Sequence, residues 1–311
     1  MTTTQSTPTQ AGTAQVTTTS GLGGGKSRSR SNRRDRLAGP LGMTLLYGFL
    51  TILALLTAFP FYYMLVTSTH RTSDILRIPP PLWFGSALLQ NYQDLIAALP
   101  FWNALWNSFA IAAIHTALVL FFCSLAGFAF AKYTFPGRDG LFAFLLATLM
   151  VPGVIGLIPS FVIMRWLGWI DTWYPLIVPG VANAFGIFWM RQYISGAIPN
   201  DMIDAARIDG AHEFRIYWNI VVPVITPALA ALAILTFMGK WNDFQWPLLI
   251  LKEEIKYTLP VALSTLRSLR GTEIGVQILG ATGAILPILI VFLLASRQFI
   301  AGITAGAVKG G

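Results

Sequence analysis

Lys240, Trp241, Asn242, Asp243, Phe244 and Gln245 follow a long apolar stretch and bring an ammonium, a carboxylate, two amides and two aromatic rings together in one short run. That set suits noncovalent recognition of a hydroxylated ring: an indole covers the ring's apolar face while Asn242, Asp243 and Gln245 bond its hydroxyls. Lys240 and Asp243, at i and i+3, can partly neutralise each other, as ionisable groups deep in an apolar segment must. The residues from Lys240 to Gln245 are therefore candidates to line a path for a polar substrate. The competing reading is an interfacial aromatic belt with a snorkelling lysine.

Bond-making chemistry finds no comparable set. Gly21-Leu22-Gly23-Gly24-Gly25-Lys26-Ser27 mimics a phosphate loop, but Ser20 stands where the first glycine belongs and no strand precedes it. His212-Glu213 resembles the opening of a zinc-protease motif, yet Ile216 occupies the second histidine position and the site would lack a ligand. His70 and His115 stand alone, and no Ser/His/Asp set, paired carboxylates or metal cluster is expected. Cys123, the only cysteine, lies in an apolar segment, which suits packing. Asn183 and Gln192 read as partners in helix–helix hydrogen bonds.

The elements that would position these groups are membrane helices. The chain has 311 residues, 55% hydrophobic and 11% charged, with a mean hydropathy of +0.63. That is too apolar for an ordinary soluble domain. Six stretches approach or exceed the roughly 20 residues that cross a hydrocarbon core: 41–66, 104–131, 141–167, 173–194, 221–250 and 276–299. They lack strand alternation, so the expected fold is all-α with six transmembrane helices. Trp83, Trp102, Trp106, Trp166, Trp169 and Trp173 fall near segment ends, where indoles anchor to the interface.

The net charge of +8 is a topology signal here and gives no reason to expect nucleic acid: Lys26, Arg28, Arg30, Arg33, Arg34 and Arg36 cluster before the first apolar stretch. Lys132, Arg138, Arg191, Arg207, Arg215, Arg297 and Lys309 fall on the same side, which is expected to be cytoplasmic. Arg71, Arg77, Arg165, Lys252, Lys256, Arg267 and Arg270 fall on the other side, so the orientation leans on the first cluster. Both termini are expected in the cytoplasm. Residues 1–40 read as a disordered basic tail, with a composition too poor in apolar groups to pay for ordering. A cleaved secretory signal is not expected, because the following stretch is long enough to span.

One polar interruption separates two of the apolar stretches, running from Ile198 to His212. Asn200 or Asp201 can cap a short helix, Gly210 can end it in a left-handed conformation, and a second helix can run from near Ala211 to Val222, before Pro223. Ala205, Ala206, Gly210 and Ala211 would let another protein approach the backbone closely, with Arg207, Glu213 and Arg215 as charged contacts around it.

Asp204-Ala205-Ala206, then Asp209-Gly210-Ala211, then Ile220 and Pro223 resemble the EAA loop of ABC-importer permeases, with Asp204 in place of the family's usual Glu. The resemblance extends from about residue 41 to 310. Pro79-Pro80-Pro81-Leu82-Trp83, Asn91-Tyr92, Asn107-Ser108, the run from Ala126 to Ala131, Phe135-Pro136-Gly137-Arg138 and Trp241-Asn242-Asp243-Phe244 are similar to carbohydrate-importer permeases, as is the tail from Thr304 to Gly310. The subgroup is that of the maltose importer's smaller permease subunit.

The resemblance implies a transmembrane domain over 41–311, with a coupling loop at about 197–222 and a cytoplasmic C-terminal tail at about 300–311. Asp204, Ala205, Ala206, Asp209, Gly210 and Ala211 would contact an ATPase subunit, and so would Thr304, Ala305 and Gly306 in the tail. It further implies a second homologous permease, two cytoplasmic ATPase subunits that hold ATP and Mg, and an extracytoplasmic sugar-binding protein. The chain itself would bind no cofactor and catalyse nothing; it would be a sugar permease in the cell membrane. The alternatives are a secondary transporter or channel acting without an ATPase, for which no inverted repeat is evident, and an intramembrane enzyme, which lacks a catalytic constellation.

Overall fold

The computed structural model describes the backbone of residues 40–268 and 271–307, with side chains over 42–266 and 271–290. Apart from its last position, the expected tail of residues 1–40 lies outside the described residues. The chain divides into two units, Met1–Ala58 and Phe59–Gly311. The described part of the first is the start of helix α1 (Pro40–Thr67). There Thr51 and Thr57 donate to the Tyr47 and Leu53 carbonyls one turn back, each at 2.8 Å. A hydroxyl in an apolar helix is satisfied in this way without water.

The second unit carries the end of α1 and then α2 (Leu88–Ala98), α3 (Phe101–Lys132), α4 (Arg138–Thr148), α5 (Leu157–Trp166), α6 (Ala184–Ala197), α7 (Asn200–Ile208), α8 (Glu213–Trp241), α9 (Gln245–Ile250), α10 (Leu259–Ser268) and α11 (Ile274–Ala307), with shorter helical turns between them. No strand occurs among the described residues. Among the described residues, three helices are long and apolar enough to cross a membrane, or four if α4 and α5 with the turn between them count as one bent span.

Helix α3 is the axis of the second unit, packed against α6 and α8. Val119, Cys123 and Phe128 of α3 meet Ile187, Met190 and Ile194 of α6, and Ile216, Tyr217, Val221 and Ile225 of α8. The polar groups buried along α3 reach across to neighbours. Asn107 Nδ2 donates to the Ile255 and Tyr257 carbonyls at 2.9 and 3.0 Å. Ser108 Oγ accepts from the Leu259 N–H at 2.7 Å, and Ser124 bonds the Tyr217 hydroxyl at 2.7 Å. Such bonds fix how one apolar helix sits on another where no hydrophobic gradient drives association.

Close approach of α3 and α6 depends on glycine. A Cβ at Gly127 would lie 2.7 Å from Met190 Cβ and 2.9 Å from the Arg191 nitrogen; one at Gly186 would lie 2.7 Å from Cys123 Sγ. Gly127→Ala is expected to cost about 1–3 kcal/mol through overpacking. Gly127→Leu should yield no assembled protein. Thermal unfolding of the detergent-solubilised protein, followed by size-exclusion chromatography, measures both; an unchanged midpoint in the leucine variant would remove the close-packing argument.

Two expected spans are interrupted. The stretch 141–167 bends by 91° between α4 and α5. Pro152 there lacks a donor and disfavours helical dihedrals at Val151. The stretch 173–194 is not one helix: a turn at Tyr174–Ile177 gives way, after Pro179, to Gly180 with φ of +81°, and α6 begins only at Ala184. Asn183, expected to bond another helix, instead caps α6, its Oδ1 accepting from the Gly186 N–H at 2.8 Å. Asparagine is among the best residues for that position. The fifth stretch, 221–250, stops at Trp241, because Asn242 and Asp243 break the helix before the short α9.

Candidate functional site

The polar interruption folds as a helix, a tight turn and a second helix. Neither Asn200 nor Asp201 caps α7; Pro199 holds the cap position and offers no side-chain bond. Asn200 Oδ1 instead accepts from Lys132 Nζ at 2.9 Å. At the other end the chain behaves as its glycine requires. Gly210 has φ of +79°, its N–H donates to the Arg207 carbonyl, and the Ala211 N–H donates to the Ala206 carbonyl, both at 3.0 Å. That pair of bonds is a Schellman motif.

Helix α8 starts at Glu213, later than expected, with His212 as its cap: His212 Nδ1 accepts from the Arg215 N–H at 3.3 Å. Nor does it stop at Pro223. A π-helical turn over Tyr217–Val221 precedes the proline, widening the coil where the ring would crowd the Asn219 carbonyl, and the helix runs on to Trp241.

The residues the loop exposes differ from the expected set. Asp204, Ala205, Asp209 and Gly210 are exposed and Ala211 is half-buried, whereas Ala206 is buried with Ile203 in the core. Arg207 and Glu213, expected as free contacts, are spent on each other: Arg207 Nε donates to Glu213 Oε1 at 2.7 Å, and Arg207 Nη1 to Asp204 Oδ1 at 3.1 Å. Tyr133, just past the end of α3, completes the knot. Its hydroxyl donates to Glu213 Oε2, and the Arg207 guanidinium lies 5.4 Å from its ring centroid. Burial and the neighbouring carboxylate push the Tyr133 phenol up to about 12, so it stays a donor.

The preceding residue, Lys132, donates to the Ile198 carbonyl at 2.5 Å as well as to Asn200. Two consecutive residues at the end of α3 therefore fasten both sides of the loop. The opposite charges of Arg207 and Glu213 across a tight turn were a legible signal; nothing local to Tyr133 pointed to it. Exposed Met202, Ile208, Phe214 and Trp218 add apolar surface that the small-residue reading missed.

The second constellation, from Lys240 to Gln245, separates. Trp241 is only 2% exposed; its Nε1 donates to the Ala284 carbonyl at 3.2 Å, and its ring stacks on Phe237. It packs as a core residue in this structure, and the cavity space it meets is an apolar recess shared with Trp102, Leu105, Trp106, Phe109 and Pro287, apart from the one Lys240 and Asp243 line. Asn242 turns its Nδ2 back to the Met238 carbonyl at 2.9 Å, while Phe244 and Gln245 are exposed.

Lys240 and Asp243 stay together. Their Nζ and Oδ2 are 3.5 Å apart, with side chains 15% and 23% exposed. They line a cavity of about 450 Å³ with His115, Asn183, Phe185 and Thr236. His115 Nδ1 bonds the Ile177 carbonyl at 2.8 Å. From sequence, His115 stands alone as a satisfied polar group and Asn183 is a weaker candidate that reads as a helix–helix bond, so neither is joined to this cluster.

A third polar group ties two loops. Asp171, with φ of +60°, accepts from the Lys252 N–H at 2.8 Å, the Glu253 N–H at 3.2 Å and Lys256 Nζ at 2.8 Å. Burial opposes its charge, but these donors outweigh burial and hold its pKa at about 2, so it stays ionised at neutral pH. Thr304, Ala305 and Gly306 fall in the backbone span of α11, and their side chains lie outside the described residues.

The family model for the binding-protein-dependent transport system inner membrane component matches residues 19–305. The arabinooligosaccharides transport system permease protein AraQ of Bacillus subtilis is 36% identical, over 84% of this chain and 94% of that protein. The lactose transport system permease protein LacG of Rhizobium radiobacter is 37% identical, over 85% and 95%. The sn-glycerol-3-phosphate transport system permease protein UgpE of Brucella abortus is 30% identical, over 80% and 91%. Among solved structures, a bacterial ABC transporter involved in the import of the acidic polysaccharide alginate superposes with a TM-score of 0.72 at 25% identity, covering 87% of this chain and 99% of that one.

Proposed function

The chain belongs to the family of binding-protein-dependent transport system inner membrane components, and we propose that it couples the closure of separate ATPase subunits to the opening of a sugar path between membrane helices. It is a permease of an ABC importer in the cytoplasmic membrane. The fastened loop around Gly210 carries the coupling reading: a docking helix transmits movement only if it cannot slide against the membrane helices, and Lys132 and Tyr133 tie α7 and the start of α8 to α3. Asp204, Ala205, Asp209, Gly210 and Ala211 form the face toward the ATPase, and Ala206 supports it from beneath.

A second homologous permease, two ATPase subunits that hold ATP and Mg, and an extracytoplasmic sugar-binding protein complete the assembly. Six spans are counted in this reading, with the broken stretches 141–167 and 173–194 each crossing once and both termini in the cytoplasm. The tail residues Thr304, Ala305 and Gly306 make a second ATPase contact, a role supported by the resemblance of 304–310 to the family's tail. The cargoes for which the relatives are named support a carbohydrate or polyol substrate. They fall on both sides of one divide, arabinooligosaccharide and lactose being uncharged, alginate and glycerol phosphate anionic.

The test is a crosslink. Cysteine at Ala205, exposed beside Gly210, should link to a cysteine in the ATPase subunit's cleft in the purified complex, and the yield should change with ATP. Sugar uptake by the reconstituted chain alone, or an Ala205 cysteine that never links to an ATPase in an active complex, would sink the coupling reading.

A further inference from the structure

The cavity beside Lys240 and Asp243 pairs one cationic with one anionic side chain. Among the residues lining it, Lys240, Asp243 and His115 are the titratable ones. The ammonium and the carboxylate cancel, and both are largely withdrawn from solvent, so neither is neutralised from outside. His115 adds no cation in its neutral form. A carbonyl can only accept, so the bond to Ile177 places the imidazole proton on Nδ1 and leaves Nε2 an acceptor.

The spacing of the pair narrows the choice further. A tight ammonium–carboxylate bond is about 2.7–2.9 Å; this one is 3.5 Å, and although Asp243 Oδ1 also accepts from the Trp246 N–H at 3.4 Å, so loose a contact leaves donor capacity on Lys240 and acceptor capacity on Asp243. A sugar hydroxyl is both donor and acceptor, so it can accept from Lys240 Nζ while donating to Asp243. A uronate or phosphate oxygen has no proton to give: it could reach the ammonium only by leaving Asp243 facing a like charge. Asn183 spends one bond at each end of its amide, on the Gly186 N–H and the Gly180 carbonyl, and keeps one donor and one acceptor in reserve. Phe185 and Leu232 supply an apolar wall for the C–H face of a ring.

We propose that this cavity is a subsite for an uncharged, polyhydroxylated sugar unit and excludes uronates and sugar phosphates. The proposal rests on the importer reading above. It makes Asp243 a specificity residue, since it turns a cation that would attract anions into half of a hydroxyl-binding pair.

The experiment uses the full complex with its partner subunits in lipid nanodiscs, carrying Cys123→Ser and Thr236→Cys, so that one thiol lines the cavity. Its reaction with the cationic aminoethyl and the anionic sulfonatoethyl methanethiosulfonates reports the local charge. The ratio of the two rates should stay close to that of a free thiol, and Asp243→Asn should shift it about tenfold toward the anionic reagent. Lactose and arabinotriose should slow labelling in at least one nucleotide state, and trigalacturonate should not. Equal or stronger protection by trigalacturonate overturns the proposal, as does the absence of protection by either uncharged probe in every state. If Asp243→Asn does not assemble, the protection series on the intact pair decides alone. ATP-driven uptake without protection would sink the subsite and leave the importer reading standing, whereas the unmodified complex lacking ATP-driven uptake would sink that reading itself.

Discussion

Gly210→Pro is expected to abolish sugar-stimulated ATP hydrolysis while the helices remain inserted in the membrane. Proline fixes φ near −65°, whereas Gly210 sits at +79°. It also removes the N–H that donates to the Arg207 carbonyl. Asp209, with φ of −69° and ψ of 0°, would be pushed toward extended dihedrals by a following proline. Three faults at one turn redirect both flanking helices. Gly210→Ala retains the N–H and carries only the left-handed penalty, about 1–2 kcal/mol, so it should reduce stimulation partially. Space is not the obstacle, because a Cβ at Gly210 meets nothing within 4 Å. Stimulated ATPase activity and uptake in proteoliposomes, scored against complex yield, test the series; normal stimulation in the proline variant would remove this turn from the mechanism.

Glu213→Ala should be the next most damaging change, and its damage should appear in transmission more than in stability. The Arg207–Glu213 pair is substantially exposed, with side chains 36% and 45% accessible. Ion pairs of that kind contribute at most about 1 kcal/mol to folding. Yet Glu213 joins α8 to the end of α3 through Tyr133 and to α7 through Arg207. Without it the loop keeps Lys132 as its fastening and loses the other side. Allosteric couplings typically amount to about 1–3 kcal/mol, and loss of about 1 kcal/mol would lower sugar-stimulated turnover about fivefold with basal hydrolysis retained. Tyr133→Phe removes only the hydroxyl bond and should fall between this variant and the unmodified chain. Glu213→Ala with full stimulation, or a basal rate that falls in parallel, would count against the knot as a transmitting element.

Much of this was legible from residue order because it follows from local rules. The turn at Gly210 came from a glycine after an aspartate at the end of an amphipathic helix, and the helical class came from run length. What was missed depended on contacts across the fold. Trp241 was read with its polar neighbours as part of a lining, but helical geometry places it on the same side as Phe237, against α11, while Lys240 and Asp243 turn toward His115 and Asn183. The expected cap at Asn200 gave way because Lys132, distant in sequence, took its side-chain oxygen. The stop at Pro223 failed because a π-turn relieved the clash that a regular α-helix would have suffered. The interrupted stretch 173–194 was legible in principle: Pro175, Pro179 and Gly180 lie inside it, and the hydropathy of the stretch outweighed them.

The unbroken run of α8 has a mechanical consequence. Its 29 residues from Glu213 to Trp241 make a rod about 43 Å long at about 1.5 Å per residue. One end sits beside the turn at Gly210, and Lys240 lies at the other. Leverage along such a rod is set by its length alone: a tilt of about 5° at the near end sweeps the far end through about 4 Å. Lys240 and Asp243 ride at that tip together, the Asp243 N–H bonded to the Lys240 carbonyl, so the displacement carries the pair relative to His115 of α3 and Asn183 at the start of α6. A rocking motion too slight to unseat any packed side chain near the fulcrum is therefore enough, at the tip, to open or shut a space the width of a hydroxyl group.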